Sequence, residues 1–461
     1  MSQSHSPLAN ASFRKLFSAQ VIALVGTGLT TVALTLLAYD IAGGNAGVVL
    51  GTALAFKMLA YVVFAPIVGG LAHRFPRKAL LITLDVVRAG IVLAMPFITS
   101  VWQIYLLIFL LNLFSAGFKP VFSASIPDVL PDEKQYTKAL SYSRLAYDLE
   151  TMLSPLFAGL ALLFFSYTAL FMSNAVAFLI SAVLIFTCVI PQGERPSRSG
   201  SVWSEISFGL KAYLATPRLR ALLSLYMAVS AASAMVIVNT VVYVREYLGG
   251  SESNVAMAMA AAGAGSMIAA IFVPRILETV KDRVLMVGGA MLMGVAVALL
   301  WTEPGYVVML GIWALVGFGL SLVQTPSGRV VNRSTNAGDR ASYFSAQFAL
   351  SHACWLIAYP LVGQLGAAIG LPLTALVMGI SIFVFAAIAF VLWPALDGKA
   401  LMHVHDEFDH DHPHTHGPHH EHDHDGTEGP EPHIHSHHHV PVKHAHPFVI
   451  DDHHGRWPSM R

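Results

Sequence analysis

The sequence predicts an all-α integral membrane protein: twelve transmembrane helices in two six-helix halves, followed by a disordered C-terminal tail. Three observations predict this class. The 461-residue chain is 55% hydrophobic and only 12% charged, with a mean hydropathy of +0.62, well outside the composition of water-soluble domains. Apolar runs recur along it, each near the roughly 20 residues needed to cross the hydrocarbon of a bilayer. The composition then changes abruptly near residue 395: the last 67 residues hold 19 of the 22 histidines, with twelve Asp and Glu against four Lys and Arg. Interleaved proline, glycine and acid rule out a packed core there, so the tail reads as disordered without metal.

Taken in order, the spans fall at roughly 14–40, 47–72, 79–98, 102–122, 139–165, 168–190, 219–246, 253–277, 284–302, 305–325, 342–369 and 372–394. The longest internal connection, 191–218, carries Pro191, Gly193, Pro196 and Gly200 and then a short amphipathic stretch from Trp203 to Tyr213. This divides the chain into an N-terminal half (1–190), a central loop (191–218), a C-terminal half (219–394) and the tail (395–461). Pro155 in the fifth span and Pro360 in the eleventh lie 205 residues apart, as do the starts of the first and seventh spans, a weak symmetry of the kind parallel repeats produce.

Loop charge sets the expected orientation. The even-numbered connections carry Arg74, Arg77 and Lys78, then Lys119, Lys134 and Lys138, then Arg195, Arg198, Lys211, Arg218 and Arg220. Later ones carry Arg275, Lys281 and Arg283, then Arg329, Arg333 and Arg340, whereas the odd-numbered ones are nearly uncharged, Arg245 excepted. Basic loops stay on the cytoplasmic side, so both termini are expected in the cytoplasm and the helices in the plasma (inner) membrane. The first hydrophobic run is long enough to span and reads as a mature helix, not a signal peptide. Two cysteines, Cys188 and Cys354, sit in apolar segments and exclude a disulfide framework.

The connection after the second span reads Gly69-Gly70-Leu71-Ala72-His73-Arg74-Phe75-Pro76-Arg77-Lys78. It resembles the signature loop of the major facilitator superfamily, and the resemblance extends over residues 10–395. It implies a transporter fold and no enzymatic activity. It also implies that Gly70, His73, Arg74, Arg77 and Lys78 form a conformational latch, engaged in one access state. Here His73 stands where the family has its acid, and Pro76 where it has a second glycine.

Charges at bilayer depth cost roughly 2.5–3.5 kcal/mol on insertion scales, so the polar residues inside spans are the best pointers to function. Lys57 lies in the second span; Asp85 and Arg88 lie three apart in the third, a spacing that pairs them locally. Asp40, at the outer end of the first span, carries little weight. The fifth span holds Asp148 and Glu150, two residues apart and so about 200° apart around an ideal helix. One faces a transport path while the other meets Arg144 or Lys57. The eleventh span mirrors it with His352 and Cys354 at similar distances before Pro360. Substrate sites of repeat-built transporters lie at mid-membrane between the halves, and carboxylate with imidazole suits a borderline divalent cation. Asp148, Glu150, His352 and Cys354 are therefore the candidate transport site. Packing is the competing explanation for His352 and the favoured one for Cys354; Met257, Met259, Met267, Met291 and Met293 are expected to pack or to face lipid.

In the tail, His403, His405, His410, His412, His414, His416, His419, His420, His422, His424, His433, His435, His437, His438 and His439 form candidate metal ligands by density alone. With the segments Ser141–Glu150 and Ser345–Trp355, the tail resembles that of the nickel-resistance exporters of the superfamily. This resemblance implies efflux of Ni²⁺, and of Co²⁺, from the cytoplasm by proton antiport, with the metal as substrate and tail ligand and no resident cofactor. The expected partners are the lipid bilayer, divalent metal ions and protons, with no nucleic acid, for a chain acting as a monomer. Two alternatives stand beside it: an exporter of an organic solute or siderophore-like metal chelate with the tail as a metal sensor, and a membrane-tethered metal store.

Overall fold

Backbone inside hydrocarbon must satisfy its own hydrogen bonds, and long apolar runs without barrel patterning do so as helices. The computed structural model describes residues 6–42, 46–192, 201–394, 401–404, 408–414, 433–439, 443–446, 448–450 and 457. Its first six long helices are α1 (Ala11–Ala42), α2 (Ala46–Leu71), α3 (Arg77–Ala94), α4 (Val101–Val129), α5 (Glu133–Leu162) and α6 (Tyr167–Phe186). The short helix α7 (Val202–Ala215) lies in the central connection. The second set is α8 (Pro217–Val242), α9 (Glu252–Ile276), α10 (Asp282–Leu299), α11 (Tyr306–Asn332), α12 (Arg340–Ile369) and α13 (Leu371–Leu392). Among the described residues, eleven helices are long and apolar enough to cross a membrane. The twelfth body helix, α5, is 30 residues long and carries Arg144, Asp148 and Glu150 in its interior.

Several helices outrun their apolar windows. Asp132 caps α5 by accepting from the Gln135 amide at 2.8 Å, which starts that helix ahead of its hydrophobic stretch. Helix α4 continues through Pro120 and Pro127 to Val129, and α11 through Pro326 to Asn332. Among the residues counted from the sequence as loop charges, Lys119 therefore lies well inside α4 and Arg329 in the last turn of α11.

In the first half α1 and α3 pack on α6 and α2 on α4; in the second, α8 and α10 pack on α13 and α9 on α11. The halves meet where α2 packs on α12 and α5 on α9. Helices in lipid gain little from apolar contact alone, so small residues that admit close backbone approach decide where they cross. A β-carbon on Gly265 would lie 1.9 Å from the Ala314 carbonyl oxygen, which brings α9 and α11 nearly backbone to backbone. Between the halves, one on Gly69 would lie 2.0 Å from Ser345 Oγ.

The described pieces of the tail include short strands. Strand β1 (Leu401–Val404) pairs antiparallel with β4 (Lys443–His446), and β2 (Phe408–His414) with β3 (His433–His439). The register sets His403 opposite His444, His410 opposite His437, His412 opposite His435 and His414 opposite His433. His405, His416, His419, His420, His422 and His424 lie outside the described residues. Beyond the strands the chain returns to the helical body. Phe448 and Ile450 are only 4% and 3% exposed. Their carbonyls accept from Arg218 Nη2 at 3.0 Å and from the Tyr343 hydroxyl at 2.8 Å. Trp457 closes this contact, its ring 5.1 Å from that of Phe448 and 5.4 Å from the Arg218 guanidinium.

Candidate functional site: a central cavity and its ionic closure

Helical spacing builds the first part of the site. Arg144 and Asp148 are four apart on α5, so their side chains meet, with Nη2 2.9 Å from Oδ1. Two residues of the other half complete the cluster. Ser266 on α9 donates to Asp148 Oδ2 at 2.6 Å, and Arg144 donates to Ser266 Oγ and, at 2.6 Å, to Gln324 Oε1 on α11. Asp148 is 7% exposed; a charge this buried persists because a cation and a hydroxyl both satisfy it. Glu150 faces elsewhere, into an apolar pocket between α1 and α5 lined by Phe17, Leu24 and Phe157. The two carboxylates do not share one cavity, and it is Asp148 that meets Arg144.

Next to Arg144 lies a cavity of about 340 Å³ between the halves. His352 lines it, its ring 4.1 Å from Phe348, 4.8 Å from Tyr61 and 5.3 Å from Trp355. Its Nδ1 lies 2.7 Å from the Phe348 carbonyl oxygen. A neutral ring donating there keeps its proton on Nδ1 and leaves the Nε2 lone pair as acceptor or ligand. Cys354 is not with it: at 3% exposure its Sγ donates to the Leu350 carbonyl at 3.2 Å within the core. Among the described residues, no three His, Cys, Asp or Glu converge in a group able to hold a metal ion.

The other intramembrane charges separate into a pair and two lysines. Asp85 and Arg88 form an ion pair, Ser181 donates to Asp85 Oδ2 at 2.7 Å, and the guanidinium lies 4.0 Å from the Phe118 ring. Lys57 stays apart from them, 5.8 Å from the Tyr61 ring. Near the same tyrosine is a residue that the sequence placed only among the loop charges. Lys119 lies on the cavity wall, donates to the Tyr61 hydroxyl at 3.3 Å and sits 5.1 Å from its ring.

Toward the face that carries the basic loops, ion pairs join the helix ends, some of them across the halves. Asp128, at the end of α4, bridges Arg77 of its own half and Arg340 of the other. Glu133 pairs with Arg329 across the halves at 2.8 Å, and Asp282 meets Arg333. An acid on α7 meets this loop. Glu205 takes Arg74 at 2.7 Å and stands 3.9 Å from His73 Nε2. Lys78 lies 5.1 Å from the Phe186 ring. Gly70 touches α7, where a β-carbon would lie 2.7 Å from Ile206 Cα. Behind these, Tyr213 of α7 donates to Gln347 of α12, and burial holds its phenol well above the usual range.

The family model described as Major Facilitator Superfamily matches residues 16–247 and 222–404. The chain belongs to the Major Facilitator Superfamily. Among curated relatives, the uncharacterized MFS-type transporter YfiS of Bacillus subtilis is 26% identical over 226 residues, 47% of this chain and 53% of that protein. Macrolide efflux protein A of Streptococcus pyogenes is 26% identical over 189 residues, 40% of this chain and 46% of that protein. The chain thus spans about half the length of the curated relatives it matches. Among solved structures, the human organic anion transporter MFSD10 (TETRAN) is similar with a TM-score of 0.72 at 12% identity, covering 82% of this chain and 99% of that one. A bacterial homologue of the iron transporter ferroportin, outward-facing with soaked iron, gives 0.65 at 13% identity over 82% and 98%. At these identities the likeness is one of fold.

Within the superfamily fold, α5 and α12 carry the polar positions that the sequence singled out. Lys119, Ser266, Gln324, Asp128 and Glu205 were not among them. Of these, Lys119 left a signal, since it stands between Phe118 and Pro120 in an apolar run that continues to Ile126.

Proposed function

We propose that the protein is a secondary-active carrier that exports divalent transition-metal ions, Ni²⁺ foremost and Co²⁺ with it, from the cytoplasm by proton antiport. The observation that carries this reading is the tail, with 19 histidines in 67 residues, because neutral imidazole suits these metals. Membership of a transporter superfamily and relatives named as macrolide efflux proteins support export. On this reading the basic face is cytoplasmic, the tail histidines concentrate metal beside it, and the bridges through Asp128 and Glu133 seal the cavity from the cytosol. Asp148, His352 and Glu150, in that order, form or border the path. A proton arriving on Asp148 cancels the charge that holds Arg144 and Ser266, and so loosens α5 from α9.

The test is nickel, cobalt and zinc accumulation in cells carrying the full protein, a form truncated after residue 400, or Asp148→Asn. Lower nickel and cobalt with the full protein, lost in Asp148→Asn, is the expected result; unchanged accumulation of every metal would sink the proposal. A second reading, export of an organic solute with the tail as metal sensor, is favoured by a cavity lining that carries Arg88, Lys119 and Arg144 but, among the described residues, no carboxylate. It predicts no protection against nickel and a solute flux that changes as metal binds the tail.

A further inference from the structure

The charge on the central cavity is at odds with a naked dication. Arg88 and Arg144 each carry their own acid, Asp85 and Asp148. Lys119 differs: among the described residues its polar partner is the Tyr61 hydroxyl, and it pairs with no carboxylate. A second ammonium, that of Lys57, lies over the same tyrosine. His352, which offers a nitrogen lone pair, stands between Phe348, Tyr61 and Trp355, within the field of both lysines. A bare divalent ion on His352 would face two like charges and no anionic ligand. A volume of about 340 Å³ is also that of a small-molecule site, not an ion cage. Aromatic walls with a few convergent polar groups, here Lys119, Gln347 and His352, are how such sites hold flat organic ligands.

We propose that the central cavity takes a carboxylate-bearing small molecule, its carboxylate pairing with Lys119, and that metal crosses as a complex with such an anion. The proposal rests on the metal-export reading and names the form in which the cargo moves. The anion cancels the repulsion that Lys119 imposes on the metal, and the metal keeps one coordination position for His352 Nε2. Lys119 is then a specificity-determining residue: it rejects free cations and admits their anionic complexes.

Full-length protein reconstituted into proteoliposomes with a proton gradient gives the test, with citrate as the probe. Three arms are compared: radioactive nickel alone, nickel with excess citrate, and radioactive citrate without metal. Each is run with the native chain, Lys119→Met and Lys119→Arg, after thermal unfolding in detergent shows that the variants fold. The expected result is nickel flux raised about tenfold or more by citrate, lost in Lys119→Met and largely kept in Lys119→Arg, because removing one partner of a buried charge pair costs at least that factor. Nickel flux indifferent to both citrate and Lys119→Met overturns the inference and leaves metal export standing. Citrate flux without metal, dependent on Lys119, with no nickel flux in either nickel arm, upholds the anion site and overturns metal as cargo. If no arm shows flux, citrate and nickel–citrate binding to the purified protein decides: binding weakened by Lys119→Met upholds the site, and no binding overturns it.

Discussion

Asp148 cannot change without consequence for Arg144, because the two share Ser266. Asparagine at 148 keeps the shape but leaves a largely buried guanidinium without its counter-charge, a loss on the order of 3–5 kcal/mol. Asp148→Asn is therefore expected to lower the unfolding temperature in detergent and to abolish transport. Combining it with Arg144→Gln should recover stability, since both charges are then gone, while transport stays lost. A double variant no more stable than the single one would contradict this account of the pair. Cys354 gives the opposite expectation: Cys354→Ala removes a small apolar group from the core, and flux should stay within about twofold of native. The sequence placed Asp148 and Glu150 on opposite sides of the helix but left open which of them meets Arg144; the structure gives the one four residues away, Asp148. Ser266 and Gln324 were not legible, because they come from spans more than a hundred residues away and nothing in their own neighbourhood marks them. Cys188 shows the same limit, buried against the Ser12 carbonyl.

At the scale of elements, α4 explains most of what the sequence misplaced. An apolar window ends where hydrocarbon ends, but a helix ends where its backbone finds a cap, and α4 runs on to Val129. That extra length carries Asp128 to the junction of the halves. Lys119, counted among the loop charges although it falls inside the expected span 102–122, is part of the cavity wall. Helix α7 was visible as an amphipathic stretch, yet its partner was not, since Glu205 reaches Arg74 only after the central connection folds back over α2. The prediction that belongs here concerns Asp128→Asn, which severs Arg77 and Arg340 together. It should open the basic face, read as faster amide exchange in the α2–α3 connection and at the start of α12. Exchange equal to native in both segments would mean that the Glu133–Arg329 bridge closes that face unaided.

For the molecule as a whole, the two-half architecture was readable because hydropathy is a property of long windows and survives errors of several residues at each end. The return of the tail to the body was not readable, because it depends on three apolar residues after a long polar stretch. Burial of Phe448 and Ile450 is worth on the order of 2–3 kcal/mol each by transfer. Phe448→Ala combined with Trp457→Ala is expected to speed proteolysis of the tail while leaving nickel flux at saturating metal unchanged. An unchanged cleavage rate would show that the contact is not what restrains the tail.

That contact also sets a length. Between Pro394 and Phe448 the chain could stretch to ~180 Å at most if one end were loose. Fastened at both ends, the chain length alone bounds the reach of every histidine between them at ~90 Å from the body. The histidines are on a short leash. Whatever they capture is let go within reach of the same doorway, at an effective concentration that free diffusion through the cell would not supply.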